Sequence, residues 1–291
     1  MSAFAAFVAR RESEAARAEI APLVTDLEAP PPGLIAIGNR WTRAHFDGDF
    51  YLSRRGGLQP ATSLVMVQSR DGNTGAANPG DLGGGAADQH LIYEGLSRVA
   101  ADGVVAGANT IRGSQVVFSV WHPELVKLRV ALELPRHPIQ IIATLRGLPF
   151  ENALILNVPE LRVILITLPS WIALMHDELA ARPWIMPLAI ETASGLPAAW
   201  RRLREIGVER VSCVGGRTFA EQLMNASLID EVYLTTSARA GGEPNTPLSP
   251  RPLRGRVVTR KHGTRADAGM VFEHIVLSGE RAEATNVSGS A

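Results

Sequence analysis

Cysteine is almost missing from this 291-residue chain, in which Cys213 stands alone. A single thiol excludes an internal disulfide framework and any multi-cysteine zinc site. Cys213 lies in a short apolar run before two glycines, a setting for a buried structural thiol rather than a nucleophile. Neither sign of charge is in excess, with 29 Lys plus Arg against 29 Asp plus Glu. That balance argues against nucleic acid or an anionic membrane as the main partner. No apolar run reaches the ~18 residues that a membrane-spanning helix needs. Arg10, Arg11, Glu12 and Glu14 break the N-terminal stretch where a signal peptide would be apolar. These features point to a soluble cytoplasmic protein.

Several chemical signatures are also missing. No G-x-G-x-x-G follows a strand, and no Walker A sequence occurs. The seven histidines form no H-E-x-x-H and no compact ligand spacing, so no metal site is expected. A G-x-S-x-G nucleophile elbow is absent too.

What the chain does contain is a series of short apolar runs alternating with helical stretches. Residues 2–28 space Phe4, Phe7, Val8, Ala15, Ile20, Leu23 and Leu27 for one helix face, and Pro30-Pro31-Pro32-Gly33 ends the stretch. Strands are predicted at 63–68, 104–110, 139–143, 162–167, 188–191 and 210–214, then at 231–236, 256–260 and 270–277. Helices are predicted from Asp88, as N-cap, to about Ala101, over 198–206, and from Arg217. Continuous apolar strands between helices imply a mostly parallel sheet covered on both faces, with antiparallel pairing at its end. The expected division is an N-terminal helical and irregular extension over 1–60, a main domain over 61–279 and a flexible tail over 280–291.

Ligands of open α/β sheets bind at the carboxyl ends of the strands. Three turns there carry suitable chemistry. Ser69-Arg-Asp-Gly72 offers a hydroxyl and the carboxylate of Asp71, and Gly107-Ala-Asn-Thr-Ile-Arg112 offers Thr110 and the guanidinium of Arg112. Val214-Gly-Gly-Arg-Thr218 puts a glycine pair before a helix start, where free N–H groups and the helix dipole suit a phosphate. Glycine leaves room for the close approach of an anion.

Thr62-Ser-Leu-Val-Met-Val-Gln-Ser-Arg-Asp-Gly72, Leu96-Ser-Arg-Val-Ala-Ala-Asp-Gly-Val-Val-Ala-Gly-Ala-Asn-Thr-Ile-Arg112, Gly207-Val-Glu-Arg-Val-Ser-Cys-Val-Gly-Gly-Arg-Thr218 and Leu228-Ile-Asp-Glu-Val-Tyr-Leu234 follow one another in this order. The series resembles the C-terminal reductase domain of bacterial riboflavin biosynthesis, from about Ala61 to Leu277. The resemblance implies a three-layer dihydrofolate reductase-like α/β fold, a homodimer and an NADPH-dependent reduction of a ribosylaminouracil phosphate. It assigns cofactor contacts to Val67, Thr110, Gly215, Gly216, Arg217, Thr218 and Phe219 and a substrate contact to Arg98, while the turns' own chemistry adds Gly107 to the cofactor side and Ser69, Asp71 and Arg112 to the substrate side. Asp71 is the carboxylate placed to relay a proton, an inference from the turn's chemistry.

This chain departs from the pattern in two places. Val214 stands where the family carries a glutamate, and Gly113-Ser-Gln-Val-Val replaces the acidic stretch after the second turn, with no counterpart for its downstream arginine. The zinc ligands of the deaminase domain often fused upstream cannot come from a chain with one cysteine. The departures keep two alternatives open: reduction of a different substrate such as a pterin, or nucleotide binding without catalysis.

Overall fold

The computed structural model describes residues 2–278, apart from 55, 56, 77, 78, 113, 114, 152 and 251. The tail expected over 280–291 and the departure at Gly113 and Ser114 lie outside the described residues. In chain order the strands are β1 (Val24–Glu28), β2 (Ile35–Ile37), β3 (Phe50–Leu52), β4 (Ala61–Gln68), β5 (Gly103–Gly107) and β6 (Ile139–Ala143). They continue with β7 (Val163–Thr167), β8 (Ile185–Ala189), β9 (Arg210–Cys213), β10 (Glu231–Thr236), β11 (Gly255–His262) and β12 (Val271–Leu277).

Ten of these strands form one sheet in the order β1-β11-β12-β10-β4-β9-β5-β6-β7-β8, and β2 pairs with β3 separately. From β10 to β8 all pairings are parallel. The edge beyond β10 is antiparallel, through β12, β11 and β1. This is the mostly parallel mixed sheet that the apolar runs imply.

All five residues of β7 are buried, because helices cover both faces and no residue points to solvent. Successive residues feed opposite layers. Val104 and Ile142 join one apolar layer with Leu91 and Trp121, whereas Val105 and Ile141 join the other with Trp200 and Leu203. The helix Leu196–Glu205 buries Leu196, Ala199, Trp200 and Leu203, the spacing of one helical face. Trp200 satisfies its indole N–H on Thr62 Oγ1 of β4 at 2.9 Å, which fixes this helix against the central strand.

Strands β6 and β10 keep the bounds read from the sequence, and the run predicted at 188–191 is β8, shifted to Ile185–Ala189. The run predicted at 104–110 is a strand only to Gly107, after which Ala108–Ile111 turns helical.

The N-terminal region differs most. Its helix ends at Ala16, and Val24–Glu28 is a strand antiparallel to β11. Pro22 has no N–H to continue a helix, and Val24 and Thr25 are β-branched residues suited to a strand. The segment is therefore woven into the main sheet by β1. Its helix also packs on the chain's own body: the Phe4 ring lies 5.4 Å from that of His137, and the Phe7 ring 5.7 Å from that of Trp121. Arg136 reinforces the contact with a 2.6 Å ion pair to Glu12.

Candidate active site

Strands β4, β9 and β5 are adjacent and parallel, so the three glycine-bearing turns that follow them open on one edge. The turns after β9 and β5 touch. Val214 N–H donates to Val105 O at 3.0 Å, and Gly107 N–H donates to Gly215 O at 3.3 Å. Gly215 and Gly216 have φ of +111° and +61°, a region that disfavours any side chain by about 1–2 kcal/mol. A Cβ at Gly215 would meet nothing within 4 Å, and one at Gly216 would reach only Thr110 Oγ1, at 3.5 Å. The glycine pair thus faces open space beside Thr110.

The helix Arg217–Asn225 begins immediately afterwards, without a side-chain cap. Its first-turn N–H groups and its dipole make this the most anion-attractive part of the edge. Arg217 and Thr218 are exposed there, and Thr110 is half-buried. Phe219 differs, because its side chain is buried and its N–H is taken by Gly216 O at 2.9 Å. It packs behind Gly107, where an added Cβ would lie 3.4 Å from Phe219 Cβ. Phe219 sets the spacing of the two turns from behind.

The turn after β4 is closed by its own bonds. Ser69 N–H donates to Asn73 O and Gly72 N–H to Ser69 O, each at 2.9 Å, while Asn73 N–H donates to the buried Ser69 Oγ at 3.2 Å. Asp71 is exposed, and its Oδ2 accepts the N–H of Gly241 at 2.8 Å. The carboxylate expected to relay a proton therefore ties its turn to the loop after β10. Val67 is half-buried near the end of β4, and Arg112 is exposed at the second turn.

Arg98 is not brought to this edge. It follows the helix Asp88–Leu96, which runs from the carboxyl edge back toward the start of β5. Its guanidinium is buried 3.7 Å from the centre of the Tyr93 ring and donates to Ser119 O at 3.2 Å. Val214 is buried in the apolar layer on the same side of the sheet.

The sequence reading missed the role of Asp88. Instead of capping a helix, Asp88 is the first residue of a π-pitched helix whose cap position is Ala87. Its carboxyl group accepts a hydrogen bond from Thr235 on β10. Thr235 pairs in register with Val67 on β4, so Asp88 lies beside the strand end assigned to the cofactor. Burial, with nearby Asp267 adding to it and the Thr235 bond opposing it, raises the Asp88 carboxyl to about 6. A signal was present in Gly83-Gly84-Gly85. A Cβ on Gly84 would run into the Asp88 carboxylate, and one on Gly85 into Asp267. Two of these three glycines thus mark backbone pressed against acidic side chains.

Burial pushes the Cys213 thiol up to about 12, the behaviour of an inert structural cysteine. Among the described residues no group of three His, Cys, Asp or Glu side chains could hold a metal ion. None of their helices is long and apolar enough to cross a membrane.

Residues 62–272 match the family model described as the RibD C-terminal domain. No curated protein matches the sequence. Among solved structures, a pyrimidine reductase-like protein from Corynebacterium diphtheriae is 18% identical with a TM-score of 0.61, over 76% of this chain and 93% of that one. Acinetobacter baumannii RibD gives 18% and 0.59, over 76% of this chain and 58% of that one. The Saccharomyces cerevisiae riboflavin biosynthesis reductase Rib7 gives 13% and 0.53, over 78% and 93%. At these identities the structures establish a shared fold, and the sequence model establishes the relationship. The chain belongs to the RibD C-terminal domain family, the reductases of riboflavin biosynthesis.

Proposed function

We propose that the protein is an NADPH-dependent reductase resembling 5-amino-6-(5-phosphoribosylamino)uracil reductase. The observation that carries this reading is the meeting of the Gly215-Gly216 turn with Gly107 and Thr110 at one strand edge. That edge fits a dinucleotide. Two left-handed glycines leave a cradle that side chains would fill, and an uncapped helix start lies beside it. Gly215, Gly216, Arg217 and Thr218 would hold the phosphates, with Thr110 beside them and Val67 lining the ring. When bound, NADPH supplies the hydride.

The protein's own contribution is then a proton. Asp88 shares a hydrogen bond with Thr235 Oγ1 and holds its proton more tightly than an ordinary carboxylic acid. Near pH 6, where about half of it is protonated, such a group delivers a proton to the atom that gains negative charge as hydride arrives. Asp88 is better placed for this than Asp71, whose carboxylate is exposed and engaged by Gly241. Asp71 orders the turn next to the ring.

Buried Val214 and inward-facing Arg98 favour keeping a second substrate reading, reduction of a related heterocycle such as a pterin. Titration of NADPH with fluorescence detection tests the shared premise, and the expected result is saturable binding. Oxidation of bound NADPH by the ribosylaminouracil phosphate supports the first substrate. Oxidation only by a dihydropterin supports the second. Binding with no oxidation by either contradicts both in favour of a non-catalytic nucleotide-binding module.

A further inference from the structure

Asp88 has an acidic neighbour from the far end of the chain. Asp267 closes the short helical turn Arg265–Asp267, which joins β11 to β12. It is 3% exposed, a burial that an acid reaches only when it is paired or hydrogen-bonded. The backbone of its turn holds it in place. Asp267 N–H donates to Thr264 O at 3.1 Å, Met270 N–H to Asp267 O at 3.1 Å and Gly263 N–H to Met270 O at 2.9 Å. A Cβ on Gly263 would lie 2.8 Å from Asp267 Cβ, so the two sides of the turn are in close contact.

From this fixed base the Asp267 carboxylate accepts the N–H of Ala87, the residue before Asp88. It also abuts Gly85, while the Asp88 carboxylate abuts Gly84. Consecutive glycines thus meet the two acids, and a side chain at either would displace one of them. The acids are unequally served. Asp267 has a backbone N–H, which favours its ionised form, whereas Asp88 has the hydroxyl of Thr235. An ionised Asp267 repels charge on Asp88, so the last proton of the pair stays on Asp88. The other charges on these elements are engaged or exposed. Arg239 lies against Gly83, Arg265 and Asp81 are exposed, and His262 pairs with Asp26. On the helix, His90 lies beside Glu94, whose carboxylate takes the N–H groups of Trp121 and His122.

We propose that Asp267 is a positioning residue acting through Asp88: it anchors the backbone that presents this acid, and its charge keeps the proton there. The inference deepens the reductase reading, and rests on it for the use made of that proton.

Carbon-13 NMR of the aspartate carboxyl groups in the full chain follows the Asp88 titration without cofactor or substrate. The Asp88 signal is identified by its loss in Asp88→Asn. Asp267→Asn keeps an oxygen for the Ala87 N–H and removes the charge, so the Asp88 midpoint should fall by at least ~0.5 pH unit. A structural prop alone would change the stability of this variant and leave the midpoint where it is. Gly85→Ala, at a position without positive φ, displaces the same carboxylate from the other side and should lower the midpoint too. An unchanged midpoint in Asp267→Asn overturns the proposal. Should that variant not fold, an unchanged midpoint in Gly85→Ala overturns it equally. Oxidation of NADPH by the ribosylaminouracil phosphate reads the consequence. Turnover of Asp267→Asn should be about 3-fold below native above ~pH 7 and close to native at ~pH 5. A midpoint that falls without this change in the pH profile supports the role of Asp267 and contradicts proton donation by Asp88 instead.

Discussion

A carboxylate at a helix start is ordinarily kept charged by the free N–H groups of the first turn. Asp88 lies at such a start, half-buried beside Thr235, and desolvation with the nearby charge of Asp267 raises its pKa from 3.8 to about 6. The folded protein therefore binds this proton more tightly than the unfolded chain. The resulting stability is fully present below pH 3.8 and is lost as pH rises through about 6. Asp88→Asn removes the burial of a charge, so at pH 8 the variant should be more stable than the native protein, by up to roughly 3 kcal/mol. Denaturant unfolding measures that difference. The same variant should lose about 10²- to 10⁴-fold in turnover if Asp88 supplies the proton. Gly216→Ala places a Cβ at φ of +61°, and a stability loss of about 1–2 kcal/mol is expected in thermal unfolding. At this scale the glycine pair was legible, because its chemistry is local. The partnership of Asp88 with Thr235 was not, since it joins residues far apart in the chain. Arg98 stands in the motif order of its family, but only packing reveals that its guanidinium faces Tyr93 and Ser119.

Among the elements, the N-terminal helix shows how far pattern alone reaches. Phe4, Phe7 and Val8 marked its apolar face correctly, and their partners Trp121 and His137 belong to the stretch that sequence left unexplained. Strand β1 was invisible because four of its five residues are exposed and its partner β11 lies near the other end of the sequence. Strands β6 and β10 were legible to the residue, since almost every position in them is apolar or buried. Removing residues 1–17 uncovers Trp121 and His137 and should destabilise the chain by about 2–4 kcal/mol. A shift in unfolding midpoint without a change of solution mass is expected. Unchanged stability would mean that the helix does not pack on its own body.

For the molecule as a whole, buried His122 and half-buried His137 oppose the acid behaviour of Asp88. Burial lowers His122 and His137 from 6.5 to about 4, so both are neutral in the folded state. Their contribution is fully present above pH 6.5 and is lost as pH falls through about 4. These two histidines, with Asp47 held below its usual value, act against the raised carboxyls of Asp88 and Asp267. Net stability should therefore decline on acidification, and His137→Gln should flatten that decline in urea melts recorded across this range. The parallel sheet and its antiparallel edge were readable from the run of apolar strands. The order in which the strands lie was not, because a sequence pattern carries no record of which strands become neighbours. That order is what makes three separate turns one edge.

The central claim is that this edge holds a pyridine dinucleotide at Gly215 and Gly216. Titrating NADPH into the native and Gly216→Val proteins tests it most directly, with folding of both verified by circular dichroism. Saturable binding to the native protein, weakened at least ~100-fold in the variant, is the expected result. No saturable binding to the native protein, or equal affinity in a folded variant, would contradict it.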